Sequence, residues 1–208
     1  MKRIIFASYP RSGSNLLVWY ILRLIDDNIC RASLCHNYNK CWKVPCECPD
    51  KALITKTHDI DFAYALEKHV ISDDYLYFIN LRKSKFENIE AYARYMLGSM
   101  SDNPQRREKI GDEEMPIIKS KFPKYSQDYD GFKEKYVLSK DNFCIIYKED
   151  MVDQPVDMIK KIMKFLGIDR VSDENYIKQI LNENPIHFTT IDPEYLSWFE
   201  RRCQEMIC

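Results

Sequence analysis

The chain has 208 residues, 45% of them hydrophobic and 13% aromatic, with a formal net charge of −1. That length and composition suit one folded domain with an ordinary core and argue against disorder. The near-neutral charge excludes a global field that would favour nucleic acid, so an anionic ligand would need a local cluster of positive groups. Lys2 and Arg3 precede only a short apolar run, which is not a secretory signal, and no stretch approaches the length of a membrane span. A cytoplasmic protein that engages neither nucleic acid nor membrane is the expectation.

The apolar run Ile4–Ala7 stops at Tyr9-Pro10 and is followed by Arg11-Ser12-Gly13-Ser14-Asn15, after which Leu16, Leu17, Tyr20, Ile21 and Leu24 set a helical period. The order reads as strand, tight loop, helix. It places backbone N–H groups, two hydroxyls and a guanidinium at a helix N-terminus, where a phosphate-like or sulfate-like anion binds well. This is not a Walker A loop: there is one Gly, and Ser14 stands where that motif has Lys.

A helix is expected from about Asn15 to Asp26, then an irregular cysteine-rich loop over 27–50 broken by Pro45 and Pro49. Ala52–Thr55 reads as a second strand ending at Lys56-Thr57-His58, and Phe62 to Lys68 as a short helix. Tyr75–Leu81 has the look of a buried parallel strand; it ends at Arg82 and gives way to a helix from about Ser84 to Met100. Residues 101–131, polar and broken by Pro104, Gly111, Pro116, Pro123 and Gly131, read as a mobile cap or insert. Asn142–Tyr147 is the next strand, and helices follow over Pro155–Leu166 (stopped by Gly167), Glu174–Leu181 and Pro193–Glu205, the last capped by Asp192.

Strands alternating with helices imply a single α/β domain, a three-layer sandwich around a mostly parallel sheet. Ligands bind such sheets outside the carboxyl ends of the strands. Arg11, Lys56, His58 and Arg82 all fall at those ends, two cations and an imidazole beside the anion loop and a third cation at the next strand. His58 is the group suited to general-base work near neutrality.

Five of the eight cysteines, Cys30, Cys35, Cys41, Cys46 and Cys48, fall within 19 residues. A structural zinc site (with His36 as an alternative ligand), redox or disulfide pairs, and free thiols in a variable loop are all open. The irregular spacing and the absence of a CxxC pair weigh against zinc.

In four places the chain resembles the sulfotransferases that use 3′-phosphoadenosine-5′-phosphosulfate (PAPS), both cytosolic and bacterial-type. Tyr9-Pro10-Arg11-Ser12-Gly13-Ser14-Asn15 resembles their P-loop-like 5′-phosphosulfate loop, and Ile54-Thr55-Lys56-Thr57-His58 the segment that carries their catalytic His. Tyr77–Arg82 with its following helix resembles their 3′-phosphate strand-loop-helix. Ile146–Met151, then Pro155 and a helix ending Phe165-Leu166-Gly167, is similar to the "YEDL…FLG" stretch.

The resemblance implies sulfuryl transfer from PAPS to a hydroxyl, or an amine, of a small-molecule or carbohydrate acceptor. It gives His58 the role of base, Lys56 and Arg11 that of stabilising the transferring group, and Ser12, Gly13, Ser14 and Asn15 that of cradling the 5′-phosphate. Arg82 would pair with the 3′-phosphate, and no catalytic metal is implied. Two departures stand out. The family usually has a Ser eight residues after that arginine, where this chain has Glu90, and its C-terminal Arg-Lys-Gly element has no counterpart. A non-catalytic nucleotide-binding relative and a P-loop-type small-molecule kinase are the alternatives. No pattern in the chain speaks to an oligomeric state.

Overall fold

The structure, a computed structural model, describes residues 2–25, 34–36, 54–57, 70–99, 110–137, 140–183 and 193–205. Five strands, β1 (Ile4–Ser8), β2 (Leu34–His36), β3 (Ile54–Thr57), β4 (Leu76–Leu81) and β5 (Phe143–Tyr147), form one all-parallel sheet in the order β2-β3-β1-β4-β5. The α/β class with a parallel central sheet is as expected. β2 lies inside the stretch read as an irregular loop: three residues pair with β3, Leu34 opposite Ile54 and His36 opposite Lys56. A three-residue edge strand has too few positions to show a period of two, which is why the sequence hid it.

Alternation along the strands sorts the core into two faces. Ile4, Phe6, Ile54, Phe78, Cys144 and Ile146 pack on one side against α1 (Ser14–Ile25), α5 (Pro155–Leu166) and α6 (Glu174–Asn182). Ile5, Ala7, Tyr77, Ile79, Leu81 and Phe143 pack on the other against Tyr129, Phe132 and Tyr136 of α3 (Met115–Tyr136). Strands buried on both faces read as continuous apolar runs, as β4 does. α5 ends where Gly167 adopts φ 70, and its N–H bonds back to the Lys164 carbonyl. That left-handed residue is the stop the sequence announced.

The segment 101–131 requires correction. Residues 101–109 lie outside the described residues, but from Met115 the chain is a 22-residue helix, and no mobile cap covers that part. Its first half joins α2 (Lys85–Ser99) and α7 (Pro193–Gln204) in a cluster of Ile89, Tyr92, Phe122, Tyr125, Tyr195 and Phe199; its second half lies on the sheet. Pro116 sits in the first helical turn, where a missing N–H costs nothing, and Pro123 and Gly131 are on the exposed side. A short helix α4 (Lys148–Asp153) follows β5, and a 3₁₀ turn (Asp169–Ser172) links α5 to α6. No helix among the described residues is long and apolar enough to cross a membrane.

α7 is pinned to α2 through one buried carboxylate. Glu90 is fully buried; its Oε1 accepts from the Tyr195 hydroxyl at 2.9 Å and lies 2.5 Å from Nε of Arg94, one turn along the same helix. Burial raises the Glu90 pKa, and Arg94 and Tyr195 partly offset the shift. The Tyr195 oxygen also accepts the N–H of Ile110 at 2.7 Å. Tyr195→Phe should therefore cost about 2 kcal/mol in urea unfolding, since it strands a buried N–H and half-strips a buried carboxylate. Binding of any ligand at the β1 end of the molecule should be unmoved. An unchanged unfolding midpoint would mean that this node does not hold α7.

Candidate functional site

β1 sits at the middle of the sheet, and the chain leaves it through α1 toward β2, whereas it leaves the neighbouring β4 through α2 and α3 toward β5. The connections thus diverge between β1 and β4, and the carboxyl ends of strands at such a switch point are the usual place for a ligand in such sheets. The Tyr9–Asn15 loop and Arg82 meet there.

The loop turns on two left-handed residues, Arg11 at φ 64 and Gly13 at φ 83. Gly13 adopts that conformation freely; for Arg11 it costs about 1 kcal/mol. The Gly13 carbonyl accepts the N–H groups of Leu16 and Leu17, which starts α1 at Ser14. The first N–H groups of α1 have no acceptor within the helix and carry its positive dipole end. The Arg11 side chain is exposed, its guanidinium 5.1 Å from the ring centroid of the exposed Tyr95.

Ser12 is fully buried. Its hydroxyl lies 2.5 Å from the Tyr9 carbonyl and 2.9 Å from Oδ1 of Asn80, so it faces into the protein. Ser14 is buried and Asn15 exposed at the first turn of α1. Tyr9 anchors the loop on the α3 face: its hydroxyl donates to the Tyr125 carbonyl at 3.1 Å, and its ring meets Tyr129 and Phe132 edge-on. Burial raises the Tyr9 pKa, so the phenol stays a donor.

Lys56 lies within β3, opposite Phe6, and its side chain runs up to the loop. It is 3% exposed, and Nζ donates to Oδ1 of Asn15 at 2.7 Å. Desolvation pushes its ammonium down to about 8. A buried ammonium whose acceptor among the described residues is a neutral amide is an electrostatic invitation to an anion. Among the described residues no ion pair involves it, and a ligand anion would restore the charge that burial penalises.

Arg82 directly follows β4 and is 4% exposed. Its Nε and Nη2 both donate to the Arg11 carbonyl at 3.3 Å, and Nη1 lies 3.4 Å from Glu87. Burial lowers its pKa, and Glu87, Glu149 and Glu90 counter the shift. Lys148 stands nearby, held down to about 8 by desolvation and then by Arg82. Glu90 lies within the field of Arg82, but its carboxylate is engaged by Arg94 and Tyr195. The Ser84 hydroxyl accepts the Glu87 N–H at 3.2 Å and so caps α2.

The structure thus brings Arg11, Ser12, Gly13, Ser14, Asn15, Lys56 and Arg82 around one loop. His58 lies outside the described residues, as do the helix expected over Phe62–Lys68, the Asp192 cap, and Cys30, Cys41, Cys46 and Cys48. Cys35 is in β2, opposite Thr55. Among the described residues no group of His, Cys, Asp or Glu is arranged to hold a metal ion. Two residues around the loop escaped the sequence reading, Asn80 and Asn88. Both are fully buried amides, and Asn80, set within an otherwise apolar strand, was the one that carried a signal. No protein-family model matches this chain, and no curated protein matches it.

Proposed function

We propose that the protein is a PAPS-dependent sulfotransferase acting on a hydroxyl, or an amine, of a small-molecule or carbohydrate acceptor. The observation that carries this reading is Lys56: a buried ammonium on the Asn15 amide, beside a left-handed loop that opens a helix. The sequence resemblance supplies phosphosulfate as the anion; buried cations and a helix N-terminus would fit it. A cytosolic protein needing neither nucleic acid nor membrane is part of the same reading.

Bound, the donor supplies an activated sulfuryl group whose S–O bond to the 5′-phosphate breaks as the acceptor oxygen bonds to sulfur. The N–H groups of Gly13, Ser14 and Asn15 would orient the 5′ end. Lys56 and Arg11 would offset the negative charge that develops on the departing phosphate. His58 would take the acceptor proton, so that the attacking oxygen does not end as an oxonium. The transferring group is less charged than a γ-phosphoryl, so these two side chains meet the electrostatic demand.

Calorimetry with adenosine 3′,5′-bisphosphate against ADP tests the class of ligand. The bisphosphate should bind at least about tenfold tighter, a difference of about 1.4 kcal/mol. Preference for ADP would favour a kinase; tight bisphosphate binding with no sulfate transferred to a broad acceptor panel would favour a non-catalytic relative.

A further inference from the structure

Three consecutive loop residues, Pro10, Arg11 and Ser12, are each met by a buried polar side chain from β4, its end, or α2. Nδ2 of Asn88 donates to the Pro10 carbonyl at 2.7 Å. The Arg82 guanidinium takes the Arg11 carbonyl with two N–H groups at 3.3 Å, and Oδ1 of Asn80 lies 2.9 Å from the Ser12 hydroxyl. Arg82 and Asn88 are tied to each other, and Asn80 and Arg82 are anchored to β5 and α3. The Arg82 N–H donates to Oδ1 of Asn88 at 3.1 Å, Nδ2 of Asn80 donates to the Ile146 carbonyl at 3.1 Å, and the Tyr129 hydroxyl donates to the Arg82 carbonyl at 2.9 Å.

Asn80 and Asn88 are fully buried and Arg82 is 4% exposed. Burying two amides and a guanidinium is unfavourable unless each finds partners, and here each does. What the set holds is a non-glycine residue at φ 64, a conformation that an arginine leaves when released. If the Arg11 peptide relaxed, the N–H groups that follow it would lose their common aim.

We infer that Asn80, Arg82 and Asn88 are positioning residues for the anion loop, and that Arg82 acts on the donor through the Arg11 backbone rather than by touching a 3′-phosphate. The inference rests on the loop being the site of the donor's 5′ end. Three of the five guanidinium N–H groups already face Arg11 and Glu87 within the protein. Glu87, beside the same guanidinium, adds a negative charge where a 3′-phosphate would need none.

Calorimetric titration of the full chain with three anions separates the two roles: adenosine 3′,5′-bisphosphate, AMP and inorganic pyrophosphate. Arg82→Ala should weaken all three by the same factor, about tenfold, because every one of them uses the loop. Asn88→Ala, which removes only the hold on Pro10 and Arg82, should repeat the pattern and stands in if Arg82→Ala does not fold. A loss confined to the 3′-phosphorylated nucleotide would make Arg82 a contact residue and overturn the inference. So would wild-type affinities in Asn88→Ala. If the wild type takes pyrophosphate but neither nucleotide, the sulfotransferase reading fails while positioning is still read from pyrophosphate. Failure of the wild type to bind any of the three overturns both.

Discussion

Lys56→Met should yield a protein that is more stable than the wild type and nearly unable to hold its anion. Desolvation brings the Lys56 pKa to about 8 from an ordinary 10.5. The unfolded chain therefore keeps a proton between those values that the folded chain has released. Stability of the wild type rises with pH across that window, and below about pH 8 the whole penalty applies. At roughly 1.4 kcal/mol per pKa unit it is at most about 3.5 kcal/mol, and methionine fills a similar volume without it. Urea unfolding at pH 7 should show the variant ahead, with the gap closing toward pH 10. Bisphosphate affinity should fall at least about a hundredfold, since a buried charge pair is lost.

The same pKa gives a second reading of the wild type. At pH 8 about half of the free protein has Lys56 neutral, and an arriving anion should draw in about half a proton. Titrations in two buffers of different ionisation enthalpy measure that uptake. Affinity should decline as pH rises through 8, and Lys56→Met should show neither effect. A variant that binds as well as the wild type would remove Lys56 from the site.

On the proposed sulfotransferase mechanism, His58→Ala should lower turnover by about 10² to 10⁴ and leave bisphosphate affinity within about twofold. The argument is chemical. An acceptor hydroxyl must lose its proton as its oxygen bonds to sulfur, and an imidazole titrating near neutrality is the fitting base. Loss of affinity at unchanged turnover would make His58 a binding residue instead.

Four of the five strands and the loop were legible because each announces itself locally. β4 is a buried strand written as an almost unbroken apolar run, and Arg-Ser-Gly-Ser-Asn between strand and helix admits few conformations. α3 was misread because its proline and glycine residues outweighed its period. Met115, Ile118, Phe122, Tyr125, Tyr129, Phe132 and Tyr136 recur at alternating steps of three and four, a full helical stripe. Several of those residues are tyrosines, which hydropathy scores as polar although their rings are buried here. The family likeness raised the prospect of Glu90 opposing a phosphate. Its partners were missed: the one-turn spacing to Arg94 went unused, and Tyr195 comes from too far along the chain for any local rule to supply.

The central place of β1 also has a consequence for biosynthesis. Ile4 pairs with Ile54 on one side and Leu76 on the other, so β1 has no partner strand until β3 is made and lacks its second until β4 follows. Its loop is completed only when Asn80, Arg82 and Asn88 have followed. The nascent chain must carry an apolar strand uncovered over that interval, and pairing across such distances is slow. Synthesis halted before β4 should give insoluble fragments, although each contains the whole Tyr9–Asn15 sequence.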